Sequence, residues 1–261
     1  MSKQPLKVLS IDFDFFQRVS PETIIYQYPD GHDFNTEMSI LIWGHHYATE
    51  HSAKILKTVK VNRTALNSIK SVIKNNNNYA DAHRKSMIVN SHRHIYDFIK
   101  DNFDSDQHSC VDVYNVDMHH DMFDSTVVSN TDGTVEYKTG PLDCANWATC
   151  VKRDFPGSTI HWICNPISQE LYPSPFPDDI IKDINYIKSM KFNLVFLCRS
   201  DIYLPPHLDK AFDELRKCIQ SNFTSTLIEE SIQMPRDMTE YINALKNTFK
   251  RIQLDKERVT R

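Results

Sequence analysis

Four short apolar runs in this chain each stop at a cluster of polar side chains, and that repeated pattern constrains the fold more than any other feature. Leu6–Ile11 ends at Asp12-Phe13-Asp14, and Ser86–Val89 ends at Asn90-Ser91-His92. Val111–Val116 ends at Asp117-Met118-His119-His120-Asp121, and Asn193–Cys198 ends at Arg199-Ser200-Asp201. Apolar runs this short, bounded by polar residues, read as buried strands. Thr159–Cys164 reads as a further strand, and so does Ser39–Trp43, followed by Gly44-His45-His46.

Segments of helical character alternate with these runs. They are residues 47–74, the stripe Ile95, Phe98, Ile99 and Phe103, and residues 143–154. Ile180, Ile181, Ile184 and Ile187 mark another helix, as do Leu208, Phe212, Leu215 and Ile219, and the 236–254 stretch. Residues 124–140 and Pro166–Pro177 read as loops, Asn75–Asn78 as a flexible break and Lys250–Arg261 as a solvated helix end. The alternation predicts one α/β domain over residues 1–261, with three α/β/α layers and a mostly parallel sheet. Ligands of such sheets collect outside the C-terminal strand ends, where all four polar clusters fall.

Composition narrows the chemistry. Only five glycines occur, at 31, 44, 133, 140 and 157, so there is no GxGxxG, no Walker A loop and no GxSxG elbow. A net charge of −4 offers no footprint for nucleic acid. No apolar run approaches the ~18 residues of a membrane span. The six cysteines form no CxxC pair, and no apolar signal segment opens the chain, so a soluble protein in the reducing cytoplasm is expected.

Asp117-x-His119-x-Asp121 offers two hard carboxylates and an imidazole, a plausible set for a divalent metal; a solvated acidic turn is the plainer reading. Asp12-x-Asp14 is a second carboxylate pair, costly at a buried strand end unless a cation compensates, and otherwise a solvated helix N-cap pair. His92 precedes Asp117 by about one helix and one strand, which places it on a neighbouring strand end, although a lone histidine is more often structural.

Together these segments resemble the ureohydrolase (arginase-like) superfamily, which carries a metal-binding histidine, an Asp-x-His-x-Asp group after the next strand, and an Asp-x-Asp pair. The matches are His92, Asp117/His119/Asp121 and Asp12/Asp14. Arginases place the Asp-x-Asp pair late, whereas here it comes first, as in a rearranged branch. Asp12-Phe-Asp-Phe-Phe16, Asn146-Trp147 and Ser200-Asp-Ile-Tyr-Leu-Pro-Pro206 look most like the peptide arginases, which make ornithine in ribosomally synthesised peptides.

The resemblance implies an arginase/deacetylase-like fold, two Mn²⁺ per chain and an arginine-containing precursor peptide as partner. One ion would be held by His92, Asp117, Asp121 and Asp12, and the other by His119, Asp117, Asp12 and Asp14. Asp121 would also orient the hydroxide and pass its proton to the leaving amine. Two metals sharing a water meet the need of a poorly electrophilic guanidinium carbon. For the substrate, Asp201 or Asp143 is a candidate partner of the guanidinium, and His45 or His46 a candidate proton shuttle. Asn146, Arg199, His94 and His120 complete the candidates, and the oligomeric state stays open.

Three other readings remain. A haloacid-dehalogenase-like phosphatase would use Asp12 and Asp14, with Asp178-Asp179 as its later acidic pair. A deacetylase-like amide hydrolase would use one Zn²⁺. A non-enzymatic binding module would use metal for stability alone.

Overall fold

The structure, a computed structural model, describes residues 3–29, 36–76, 84–129, 135–173, 177–223, 225–229, 232 and 235–259. Gly31, Gly133 and the second half of the asparagine run lie outside them. Strand β1 spans Gln4–Asp12 and runs into a 3-10 turn, Phe13–Phe16. A small antiparallel ribbon pairs β2 (Gln17–Arg18) with β3 (Lys60–Val61). Then come β4 (Lys85–Val89), β5 (His108–Asp117), and the hairpin β6 (Thr126–Ser129) and β7 (Val135–Lys138). The last four are β8 (Thr159–Cys164), β9 (Asp179–Ile181), β10 (Leu194–Cys198) and β11 (Thr226–Ile228).

Seven strands form one sheet in the order β11-β4-β10-β1-β5-β8-β9, and every pairing in it is parallel. Parallel neighbours need crossovers, and crossover helices bury both faces. The strand period divides the side chains accordingly. Leu9 and Ile11 of β1 join an apolar cluster with Leu66, Ile69 and Ile73 of the helix Arg63–Asn76, and with Phe212 and Leu215 of the helix Asp209–Asn222. Leu6 and Val8 face the other way, towards Ile95 and Phe98 of the helix His94–Lys100 and Trp147 and Val151 of the helix Trp147–Asp154. This is the three-layer α/β arrangement that the alternation predicts.

Several elements differ from the sequence expectations. Ser39–Trp43 is not a strand but part of a helix, Thr36–Ala48. Its buried face carries Ser39, Trp43 and Gly44, while Met38 and Leu41 are exposed, so the apolar run misreports the inner face. Ile180 and Ile181 belong to edge strand β9, and only Ile184–Ile187 turns, as a 3-10 segment. The 124–140 stretch contains the β6–β7 hairpin, and Ser168–Leu171 forms a short helix inside the proline-rich loop. Strand β4 does not neighbour β5; β10 and β1 intervene. Among the described residues no helix is long and apolar enough to cross a membrane.

Candidate metal centre

Asp12, at the C-terminal end of β1, caps the 3-10 turn that follows: its Oδ1 accepts from Asp14 N at 3.3 Å. Both readings of the pair meet here, for Asp12 is an N-cap residue, yet the two carboxylates are buried rather than solvated. Asp117 ends the neighbouring strand β5. The extended backbone stops there, and Asp121 is delivered instead by a turn in which it takes φ 52°. His92 comes from the loop after β4, across β10 and β1.

These elements converge. His92 Nδ1 lies 3.3 Å from Asp12 Oδ2, 3.2 Å from Asp117 Oδ2 and 3.0 Å from Asp121 Oδ2. His119 Nδ1 lies 3.1 Å from Asp14 Oδ2 and 3.6 Å from Asp117 Oδ1. Two ligand groups result, Asp12/His92/Asp117 and Asp14/Asp117/His119, each with its donor atoms within 4.8 Å of one another. Asp117 belongs to both; Asp12 falls in the first alone.

Groups around the ligands hold them in place. Ser10 Oγ lies 2.7 Å from His92 Nε2, and the ring stacks on Phe196 at 5.6 Å. Ser200 Oγ donates to Asp12 Oδ2, Asn115 Nδ2 donates to Asp117 Oδ2 at 3.3 Å, and Trp147 Nε1 donates to Asp121 Oδ2 at 2.6 Å. Such outer contacts fix ligand orientation. The His119 ring lies between Tyr172, at 4.6 Å, and Tyr203, at 4.9 Å.

The electrostatics call for positive charge. Four buried aspartates face only two imidazoles, and no lysine or arginine among the described residues forms an ion pair with them. Burial, then Asp12 and Asp117, raises the Asp14 carboxyl well above the usual range. Burial, then Asp117, pushes Asp121 up to about 7. Burial would lower His92 and His119, but the surrounding carboxylates outweigh it and raise both. Burial would likewise raise Asp117, but its contacts with the two histidines hold it well below the carboxylate range. His92 Nδ1 and Asp14 Oδ2 are buried with no hydrogen-bond partner among the described residues, as expected of atoms that a cation would take as ligands. Hard oxygen and imidazole donors fit divalent ions of the Mn²⁺ type.

The six candidate metal ligands thus meet at one place. The other candidates do not join them. His45 and His46 lie on the helix Thr36–Ala48; His45 is exposed beside Phe249, at 6.4 Å between rings, and His46 packs near Trp43. Neither lines the cleft above the ligands. Asp201 is fully engaged by Arg199 through two hydrogen bonds, and both are buried, so this pair braces the Ser200 turn rather than presenting charge to a substrate. Asp143 accepts from Ala145 N at 2.8 Å and Asn146 Nδ2 donates to Pro141 O at 2.8 Å; they shape the loop that leads into Trp147. His94 starts a helix, and His120, its pKa lowered to about 4 by burial, stacks on Phe123. Asp178 and Asp179 pair with Lys152 and His161 at the start of the edge strand β9, three strands away from β1, so they do not join Asp12 and the phosphatase reading is left without its second acidic pair.

Ser10 and Asn115 escaped sequence reasoning, yet the strand period marks them: each lies two residues before a ligand aspartate on the same face. The cleft over the ligands has a volume of about 640 Å³, with Ile24, Tyr28, Phe123, Tyr172 and Tyr203 among its walls. No family model, curated protein or solved structure matches this chain.

Proposed function

We propose that this chain is a binuclear-metal hydrolase that converts arginine side chains of a peptide to ornithine and releases urea. One observation carries the reading: two ligand groups share Asp117 beneath a cleft, with Asp121 against the first of them. Asp12, His92, Asp117 and Asp121 would hold one Mn²⁺, and Asp14, Asp117 and His119 the other. Bound there, the pair supplies Lewis-acid charge that brings a water towards ionisation at neutral pH.

The chain's own groups do the rest. Asp121, at the floor of the cleft against His92, stands where a carboxylate can take a proton from the attacking water and return it to the departing nitrogen. The water oxygen bonds to the guanidinium carbon, the bond from that carbon to the side-chain nitrogen breaks, and the amine leaves carrying the proton. Trp147 fixes the carboxylate through which the proton passes. Aromatic and aliphatic walls suit the arginine stem and exclude bulk water. The cysteines, all free, suit the reducing cytoplasm.

The test is incubation of the Mn²⁺-loaded protein with arginine-containing peptides. Urea, two ions per chain and the mass loss of one CN₂H₂ unit per converted arginine are expected. If two ions bind but neither peptides nor free arginine yield urea, the guanidine reading is overturned. One Zn²⁺ per chain with amide cleavage would favour the deacetylase-like reading instead.

A further inference from the structure

The cleft has an asymmetry of charge above the ligands. Asp124 lies at its exposed edge, three residues after Asp121 on the same turn, with φ 52°. Its carboxylate makes no hydrogen bond or ion pair with any described residue. The other two acids of the lining, Asp12 and Asp121, are buried against His92. No lysine or arginine occurs among the described lining residues, whose remainder is aliphatic, aromatic, hydroxyl, thiol or imidazole. Among the described residues of the mouth, therefore, one solvated negative charge stands without a counterion.

A side chain that puts its reacting carbon over the buried aspartates must leave its main chain and its neighbours at the mouth. There, a carboxylate would face Asp124 with no lysine or arginine among the described lining residues to offset the repulsion. A neutral amide would meet little resistance, and a neighbouring ammonium or guanidinium would find a partner. We infer that Asp124 is a charge filter for the cleft, favouring targets flanked by a basic residue and disfavouring those flanked by a carboxylate. This rests on the cleft being the substrate site of the proposed hydrolase. Because Asp124 is exposed, the selectivity is modest: roughly 1.5- to 5-fold for each unit of charge, as for a solvated ion pair. Salt weakens it.

Three dye-labelled peptides test this, identical except for lysine, alanine or glutamate beside a single arginine. Their dissociation constants are measured by anisotropy on the Mn²⁺-loaded full chain at low and high salt, and urea is followed in parallel. Lysine-flanked peptide should bind most tightly and glutamate-flanked least, with the spread shrinking at high salt. Asp124→Asn should bring the three constants together, while Asp124→Glu should keep their order. Equal binding by the unaltered protein overturns the inference, as does an order that survives in Asp124→Asn. Because binding is read separately, charge-ordered binding without urea overturns the reaction and leaves the filter standing. Urea formed with no charge preference does the reverse, and binding of none of the three overturns both.

Discussion

Ser10 Oγ lies 2.7 Å from His92 Nε2, and this contact turns the other ring nitrogen towards Asp12, Asp117 and Asp121. A cation can take Nδ1 only if the ring keeps its proton on Nε2, and in that tautomer Ser10 Oγ is the acceptor for it. Ser10→Ala should weaken the first ion by about 10- to 100-fold while the Asp14/Asp117/His119 group keeps its own. Titration calorimetry with Mn²⁺ should then resolve one strong and one weak site. Two unchanged sites would remove Ser10 from the centre.

Asp117 is the one residue common to both ligand groups. Asp117→Asn should therefore abolish tight binding of both ions, and urea production with it, while the far-UV circular dichroism stays the same. Elemental analysis showing two ions still bound to the variant would contradict the shared-ligand arrangement.

Trp147 donates a hydrogen bond to Asp121 that favours its charged form. Trp147→Phe retains most of the packing and removes that donor, so the Asp121 carboxyl should hold its proton more tightly. The acidic limb of the pH–rate profile should move to higher pH, and activity should fall about 10- to 100-fold. A profile shape identical to that of the unaltered protein would speak against Asp121 as the proton carrier.

Without metal, the centre makes stability fall as pH rises. The native pKa of Asp121 is raised from the ordinary 3.8 to about 7, so its stabilising share is complete below the lower value and lost on passing the upper. Asp14 acts in the same direction. His92 and His119, raised above 6.5, contribute fully below that pH and lose their share above it. Asp117 works the opposite way, but its pKa is lowered, so its loss comes only in strong acid. The melting temperature of chelated protein should drop between about pH 5 and 8, and Mn²⁺ should restore more of it at the alkaline end. A flat or rising profile for the chelated protein would refute this.

Gly44 is where the helix Thr36–Ala48 touches the helix Thr239–Val259: a Cβ there would run into the Tyr241 ring. Gly44→Ala should overpack the contact and cost about 1–3 kcal/mol. Tyr241→Ala should make the glycine substitution nearly neutral in a double-mutant cycle. Additive effects would show that the two positions do not meet.

The sequence carried β1, β4, β5, β8 and β10 because their apolar runs are buried in the sheet, so each reads as a block with abrupt polar ends, whereas the short edge strands β9 and β11 carry no such block. Val111–Val116 and Thr159–Cys164 are such blocks. Ser39–Trp43 imitates one, since the inner helix face is lined by a serine and a glycine while Met38 and Leu41 face outwards. That error also carried His45 and His46 to a supposed strand end, when they lie near the C-terminus of a helix. Ile180 and Ile181 have helical spacing with Ile184, but pairing with β8 overrides it.

The six ligand candidates were legible because each lies at the C-terminal end of a strand or within four residues beyond it. What the spacing concealed was reach: His92 arrives from a strand two places away from β1, which only the order of the sheet reveals. Asp124 gave no signal, because nothing in an acidic turn announces that its carboxylate will stand alone.

Strand β1 lies between β5 and β10, and Asp12 takes a hydrogen bond from Ser200, 188 positions later. A nascent chain that has left the ribosome only as far as β5 can zip up one edge of β1 and none of the other. The centre is thus a product of late assembly, closed by nearly the last strand of the sheet to be synthesised, and ions would be captured by a finished polypeptide rather than by a growing one.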